Sequence, residues 1–290
     1  MANLRDIQKR IKSIKNTQQI TKAMKMVAAA KLRRAQDAIT EARPYADKMS
    51  QVIKSLALRT KSNMHPLLEV RPPKNVAIIV LTSDRGLCGS FNSAILKQTE
   101  EFIRVNKDKY EKVSIVALSK RANDYFKKRG FNILAHHEGI LNDTSYQSAT
   151  IVSEELKRLF LEKELDEVHV AYTQFKSAIS SNVVLNQLLP LSSENHDDEI
   201  KEGVIEYIFE PSATEILSDL LNRHIVTQIQ RAMLDSVASE HGARMTAMDA
   251  ATNNATDMIK KYTLIYNRAR QAAITTELVE IVSGAEALKG

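Results

Sequence analysis

The chain has 290 residues, 43% of them hydrophobic and 26% charged, with a net charge of +6 and no tryptophan. Its single cysteine, Cys88, excludes an intrachain disulfide and points to a reducing compartment. No apolar run reaches the roughly 18 residues that span a bilayer, so a soluble chain is expected.

The opening segment keeps a heptad frame at Leu4, Ile7, Ile11, Ile14, Gln18, Thr21, Lys25, Ala28, Leu32, Ala35, Ile39, Ala42, Ala46, Met49, Ile53 and Leu56. A 3.5-residue repeat held this long is a coiled-coil signal. The pattern predicts a helix from about Leu4 to about Leu58, roughly 80 Å long at 1.5 Å per residue, with a kink or local break at Pro44. From Met1 to Gln36 it carries ten basic residues and one acid, Asp6. A transit peptide is a competing reading of such a start, but the frame runs on past residue 40, the segment is not serine-rich, and no processing site interrupts it.

The proline-rich stretch KSNMHPLLEVRPPKN reads as an exit linker. An alternation of strands and helices follows. NVAIIVL is a buried strand, TSDRGLCGSFN a loop, and a helix runs from about Asn92 to Val105, with Asn92 available to cap it. VSIVAL is the second strand, and SKRANDYFKKRG a helix stopped by Gly130. NILAHH is the third strand, and a helix opens at Thr144 or Ser145. EVHVAYT is the fourth strand, and VVLNQLLPL is ambiguous. SSENHDDEIKEG reads as an acidic loop and VIEYIFE as a last strand ended by Pro211. Strands alternating with helices predict a mostly parallel, doubly wound sheet.

The closing helix is predicted to start near Pro211, with Ser212 or Thr214 as cap, and to reach about Leu288, roughly 110 Å if continuous. Its heptad frame runs Leu234, Val237, His241, Arg244, Met248, Ala251, Ala255, Met258, Tyr262, Ile265, Ala269, Ala272, Thr276 and Val279. The two terminal helices are expected to pair antiparallel. The longer one then either projects past the start of the first or pairs along a different part of it. The expected fold class is α/β: a long antiparallel coiled coil of N- and C-terminal helices plus a Rossmann-like head. The expected domains are the N-terminal helix over 1–60, the head over 74–210, folding on its own core, and the C-terminal helix over 211–290.

SDRGLCGSFN sits where a phosphate-cradling loop would, between strand and helix, yet it matches neither G-x-x-x-x-G-K-[ST] nor G-x-G-x-x-G. Gly86 and Gly89 fit a tight turn, and Cys88, with no His or second Cys beside it, an inert thiol. His136 and His137 alternate faces at a strand end and, with Glu138, read as a polar terminus rather than a metal site. No spacing suggests a catalytic triad. The basic residues of the first helix fall mostly outside its seam. They read as a solvated face or as a surface that docks on an acidic protein. The first 44 residues contain no aromatic, which argues against nucleic acid. Gln18, Thr21 and Lys25 are polar at seam positions, which either sets register or marks a stretch that is not a dry two-helix seam.

MANLRDIQKRIKSIKNTQQITKAMKMVAAAKLRRAQ at the start and ARMTAMDAATNNATDMIKKYTLIYNRARQAAITTELVEIVSGAEAL at the end resemble the gamma subunits of bacterial-type rotary ATP synthases, as does TSDRGLCGSFN after the first strand. The resemblance covers essentially the whole chain. It implies a non-catalytic rotor shaft without cofactors. Its coiled coil enters a ring of alternating alpha and beta subunits, and its head sits with the epsilon subunit on a membrane ring of c subunits. It implies a peripheral place on the cytoplasmic face of the bacterial cell membrane, with no insertion into it. Ion flow turns the c ring and the shaft, driving the catalytic beta subunits through their states; ATP hydrolysis reverses the motion. By the same resemblance, Met24 and Lys25 fall in the stretch that meets the beta-subunit lever loop, and Arg244, Gln271 and Thr275 face the ring's inner surface. The acidic lever loop suits the basic band that includes Lys9, Lys12 and Lys15. A catalytic α/β domain on a stalk would need a phosphate loop or catalytic constellation. A static coiled-coil adaptor is separated from a shaft only by the resemblance.

Overall fold

The computed structural model describes residues 4–57, 65–178, 180–191 and 213–287. The expected acidic loop over 192–203, the strand over 204–210, and Pro211 and Ser212 lie outside the described residues, as does the side chain of Thr214. The chain divides into two compact units: Met1–Ala28 with Met245–Gly290, and Ala29–Arg244. Both long helices, α1 (Leu4–Ala57) and α5 (Ala213–Ala287), contribute to each unit. Helix α1 continues through Pro44 without a break. Among the described residues no helix is long and apolar enough to cross a membrane.

The smaller unit is an antiparallel helix pair. Gln18 meets Thr256, Thr21 meets Thr252 and Lys25 meets Asp249, so each step up α1 is a step down α5. The α1 side of the seam is the expected frame, with Ile7, Thr21 and Ala28 buried and Ile11, Ile14 and Gln18 half-buried. The α5 side departs from it. Met258, Ile265 and Ala272, expected inside, are exposed, and Ile259, Tyr266 and Ala273 are turned inward instead. The cause is the 3.6-residue period of a straight helix, which drifts about 20° per heptad against a 3.5 repeat and moves the seam onto the following residue.

The larger unit is built on a five-stranded sheet in the order β3-β2-β1-β4-β5. Its strands are β1 (Asn75–Val80), β2 (Lys112–Ala117), β3 (Asn132–His136), β4 (Glu167–Phe175) and β5 (Ser181–Leu189). The first four are parallel and β5 runs antiparallel to β4, which resolves VVLNQLLPL as an edge strand. Alternation on β1 serves two cores. Val76, Ile78 and Val80 face Phe91, Ile95 and Leu96 of α2 (Phe91–Val105) and Ala122 and Phe126 of α3 (Lys120–Lys128). Ala77, Ile79 and Leu81 face Val152, Leu156 and Phe160 of α4 (Tyr146–Leu161). Local caps set the helix starts. The Ser119 hydroxyl accepts the Ala122 N–H and the Ser145 hydroxyl accepts the Ser148 N–H. Gly130, at φ 77°, ends the turn after α3.

Among the described residues, the core on the α4 side draws on both terminal helices as well as the central segment. Leu217, Leu221, Ile225, Val226, Ile229, Ala232 and Met233 of α5 are buried in it, and Val52 and Ile53 of α1 pack against it. Spacings of three and four put the α5 residues on one face of the helix. On this side of the sheet the core expected of the head is shared with α5 and α1. Burying a large apolar side chain contributes about 1.5–3 kcal/mol, so removing α5 strips away a sum comparable to the stability of a whole domain. A fragment cut to residues 74–210 is expected to lack cooperative unfolding and to exchange its sheet amides rapidly, as read by circular dichroism and hydrogen exchange. Slow exchange in β1 and β4 of that fragment would contradict this.

Candidate functional site

Two surfaces hold the residues that the sequence singled out. The first is the helix pair of the smaller unit. Three polar bonds cross its seam in succession: the Gln18 amide donates to the Thr256 hydroxyl at 2.7 Å, the Thr21 and Thr252 hydroxyls bond at 2.8 Å, and Lys25 Nζ meets Asp249 Oδ1 at 2.6 Å. Farther along, the Arg10 guanidinium lies over the Tyr262 ring, 5.2 Å from its centre. Lys25 is therefore held by the facing helix while half of its side chain stays exposed. Met24 is half-buried beside it. Lys9, Lys12 and Lys15 are exposed, as are Gln271 and Thr275. The Thr275 hydroxyl bonds back to the Gln271 carbonyl within α5.

Beyond Ala273 every described residue of α5 is exposed, including the apolar Ile274, Leu278, Val279, Ile281 and Val282. The register set by Gln18–Thr256 accounts for this: the described part of α1 does not reach this end of α5. Of the two expected arrangements for the longer helix, the projecting one is found. Ile20, Met26 and Val27 are exposed apolar residues on α1. Neither group was singled out from sequence, although heptad counting combined with a pairing register would have found the first. Apolar patches left open in this way mark surfaces that meet a partner.

The second surface is the loop after β1, at the place where α/β sheets bind ligands: strand order reverses between β1 and its neighbours β2 and β4. Here the loop is tied to itself. Ser83 N–H and hydroxyl both bond to Asn92 Oδ1, and the Asn92 amide returns a bond to the Ser83 hydroxyl at 2.9 Å. Asn92 thus braces the loop rather than capping α2, whose first turn follows Ser90. Asp84 accepts N–H groups from Lys120 and Gly139. Cys88 is buried, with the Asn92 amide 3.4 Å from its sulfur. That environment offers no base to activate the thiol.

The mouth of this loop is covered by α5. Arg244 was expected on a partner-facing surface. It is buried instead, with its guanidinium 2.6 Å from Glu240 and donating to the Gly86 carbonyl at 3.2 Å. Gly242 lets the helix come close, since a Cβ there would sit 3.1 Å from the Ala178 carbonyl oxygen. Burial pushes the Glu240 carboxyl above its ordinary range although Arg244 pulls it down. Burial, with the charges of Arg244 and Lys31, pushes His241 down to about 4, so it is neutral at pH 7. No group of three His, Cys, Asp or Glu side chains among the described residues could hold a metal ion. Chemically the arrangement is a clamp. Replacing Arg244 with Ala leaves Glu240 buried without its cation, at an expected loss of about 3–5 kcal/mol. The loss should shrink as pH falls through the raised Glu240 pKa, because protonation removes the unpaired charge. Urea denaturation at pH 8 and pH 5 checks it, and a pH-independent loss under 1 kcal/mol would contradict the clamp.

A family model described as ATP synthase matches residues 3–288. Two curated relatives described as ATP synthase gamma chain, from Geobacter sp. (strain M21) and Trichlorobacter lovleyi, are 49% and 48% identical over 290 residues, covering the whole of both chains in each case. Among solved structures, a chain of the Euglena gracilis mitochondrial ATP synthase (OSCP/F1/c-ring, rotational state 3) matches with a TM-score of 0.69 at 22% identity, over 98% of this chain and 94% of that one. A chain of the rotor from the same organism (rotational state 1) gives 0.64 at 20%, over 93% and 98%. At such identities these two speak for the fold, and both carry it almost end to end. The whole-length match to the family and to curated relatives near 49% identity places this chain in the ATP synthase gamma chain family.

Proposed function

We propose that this chain is the central rotor shaft of a rotary ATP synthase. It couples ion-driven rotation of a membrane c ring to sequential conformational change in catalytic beta subunits, reversibly with ATP hydrolysis. The observation that carries the reading is the identity of 49% along the full length to a chain described as ATP synthase gamma. The helix pair enters the ring of alpha and beta subunits. The sheet-bearing end meets the epsilon subunit and the c ring, peripheral to the cytoplasmic face of a bacterial membrane. Bond making and breaking belong to the beta subunits, and this chain supplies the changing surface.

On that reading the contact residues are the exposed Lys9, Lys12 and Lys15, the Met24–Lys25 stretch, and Gln271 and Thr275 near the projecting apolar end of α5. Arg244 acts at one remove, by fixing the loop that carries Gly86. Driving a beta subunit from 1:99 to 99:1 takes about 5.5 kcal/mol of differential interaction. Exposed ion pairs contribute about 0–1 kcal/mol each. The force is therefore mainly steric, applied by apolar surface that excludes one beta conformation at each orientation, while the lysines guide the approach.

A reversible tether tests this. Cys88→Ser removes the native thiol and Met26→Cys places a new one at an exposed shaft position, opposite a cysteine introduced in the facing beta-subunit loop. Oxidation is expected to abolish ATP turnover in the assembled complex and reduction to restore it. Full turnover in a completely cross-linked complex would mean a static adaptor, contradicting the proposal.

A further inference from the structure

Within the larger unit, α1, the start of α4, the end of β4 and α5 enclose a cleft of about 480 Å³, inside the range of roughly 300–1,000 Å³ typical of small-molecule sites. One wall is small and apolar, formed by Ala38, Ile39 and Ala42 of α1, and Leu234 and Phe175 face into the same space. Asp235 also lines it and is only 6% exposed. Its carboxylate draws a hydrogen bond from the backbone N–H of Phe175. Ion pairing with a cation is not seen for it among the described residues. A carboxylate accepts at about four lone-pair positions, and a buried one left short of donors is costly.

The charged and titratable groups around it do not remedy this. Arg231 of α5 and Arg43 of α1 pull the Asp235 pKa down, but burial outweighs both and pushes it up to about 6. Both guanidinium groups belong to exposed residues, where water screens them. Tyr172 of β4 is buried, and its hydroxyl is pushed up by burial and by the charge of Asp235. Glu41 and Tyr45 of α1 and Tyr146 of α4 also line the cleft, and all three are exposed. Arg43 and Arg231 line the cleft as well, but neither forms an ion pair with Asp235 among the described residues. What the walls offer is room for an apolar body.

We propose that this cleft is a binding site for a small organic amine, its ammonium group donating to the Asp235 carboxylate and its apolar or aromatic body lying against Ala38, Ala42, Leu234 and Phe175. The site uses none of the residues assigned to the shaft contacts, so it stands independently of the rotary reading. Ammonium binding needs the ionised carboxylate, so affinity rises as pH climbs through about 6.

Benzylamine, which stays protonated across this range, and its neutral counterpart benzyl alcohol probe the site on the full chain. Calorimetry and amide chemical shifts at pH 7.5 and pH 5 supply the readout. Benzylamine is expected to bind at least tenfold more tightly than benzyl alcohol at pH 7.5, to lose most of that margin at pH 5, and to shift the Phe175 and Leu234 amides. Asp235→Asn keeps the shape and removes the charge, and should abolish the margin. Ala42→Leu, which fills the apolar wall, serves as a second variant should the first fail to fold, and should weaken both probes. Equal affinity for amine and alcohol, no benzylamine binding at millimolar concentration, or unchanged benzylamine binding in Asp235→Asn or Ala42→Leu would each overturn the proposal.

Discussion

The apolar stripe on α5 from Leu217 to Met233 is the surface on which the rest depends, because among the described residues it fills the core on the α4 side of the sheet. Ile225, Ile229 and Met233 are fully buried against strands and α4, so this part of the helix is core before it is anything else. The same helix then continues unbroken to Ala287. Its serines bind it further to the sheet: the Ser239 hydroxyl donates to the Thr173 carbonyl at 3.1 Å. The same element is thus part of a packed interior and, farther along, half of a helix pair.

The seam of the helix pair solves a different problem. An all-apolar seam of small residues would tolerate slippage by a heptad. Here such a slip, sliding α5 by seven residues against α1, brings Asp249 opposite Leu32 instead of Lys25 and breaks the Gln18–Thr256 and Thr21–Thr252 bonds. Each buried polar group left unsatisfied costs about 1–3 kcal/mol. The three pairs therefore specify one register, and with it how far α5 projects. The polar stretch that the sequence left open between a register device and a wet surface serves the first role toward α5. Lys25 nevertheless stays half exposed.

The regular parts were legible because they rest on local periodicity. Heptads placed α1, a short apolar run placed β1, Gly130 marked the end of α3, and Thr144 or Ser145 marked the start of α4. What sequence periodicity misjudged was longer-ranged or accumulated. The seam on α5 drifted off Met258 and Ile265 because a small angular mismatch adds up over several turns. Asn92 looked like a cap because its position favours one, but Ser83, nine residues earlier, competes for it. VVLNQLLPL was ambiguous because Val183, Val184 and Leu185 form a run with no clean alternation on an edge strand. The heptad frame put Arg244 in the seam and the family resemblance put it on a partner-facing surface; neither could show its partner carbonyl at Gly86, 158 residues away in sequence. The family resemblance, by contrast, needed no structure, since it spans both ends and the β1 loop.

Rotation of this chain as a shaft can be watched directly. Lys107 is exposed on the sheet-bearing unit and Cys88 is buried, so Lys107→Cys in a Cys88→Ser background takes a single bead label. With the alpha–beta ring fixed to a surface, ATP should drive unidirectional, stepwise rotation of the bead that stops when ATP is withdrawn. A bead that stays still on complexes hydrolysing ATP at the full rate would contradict the account.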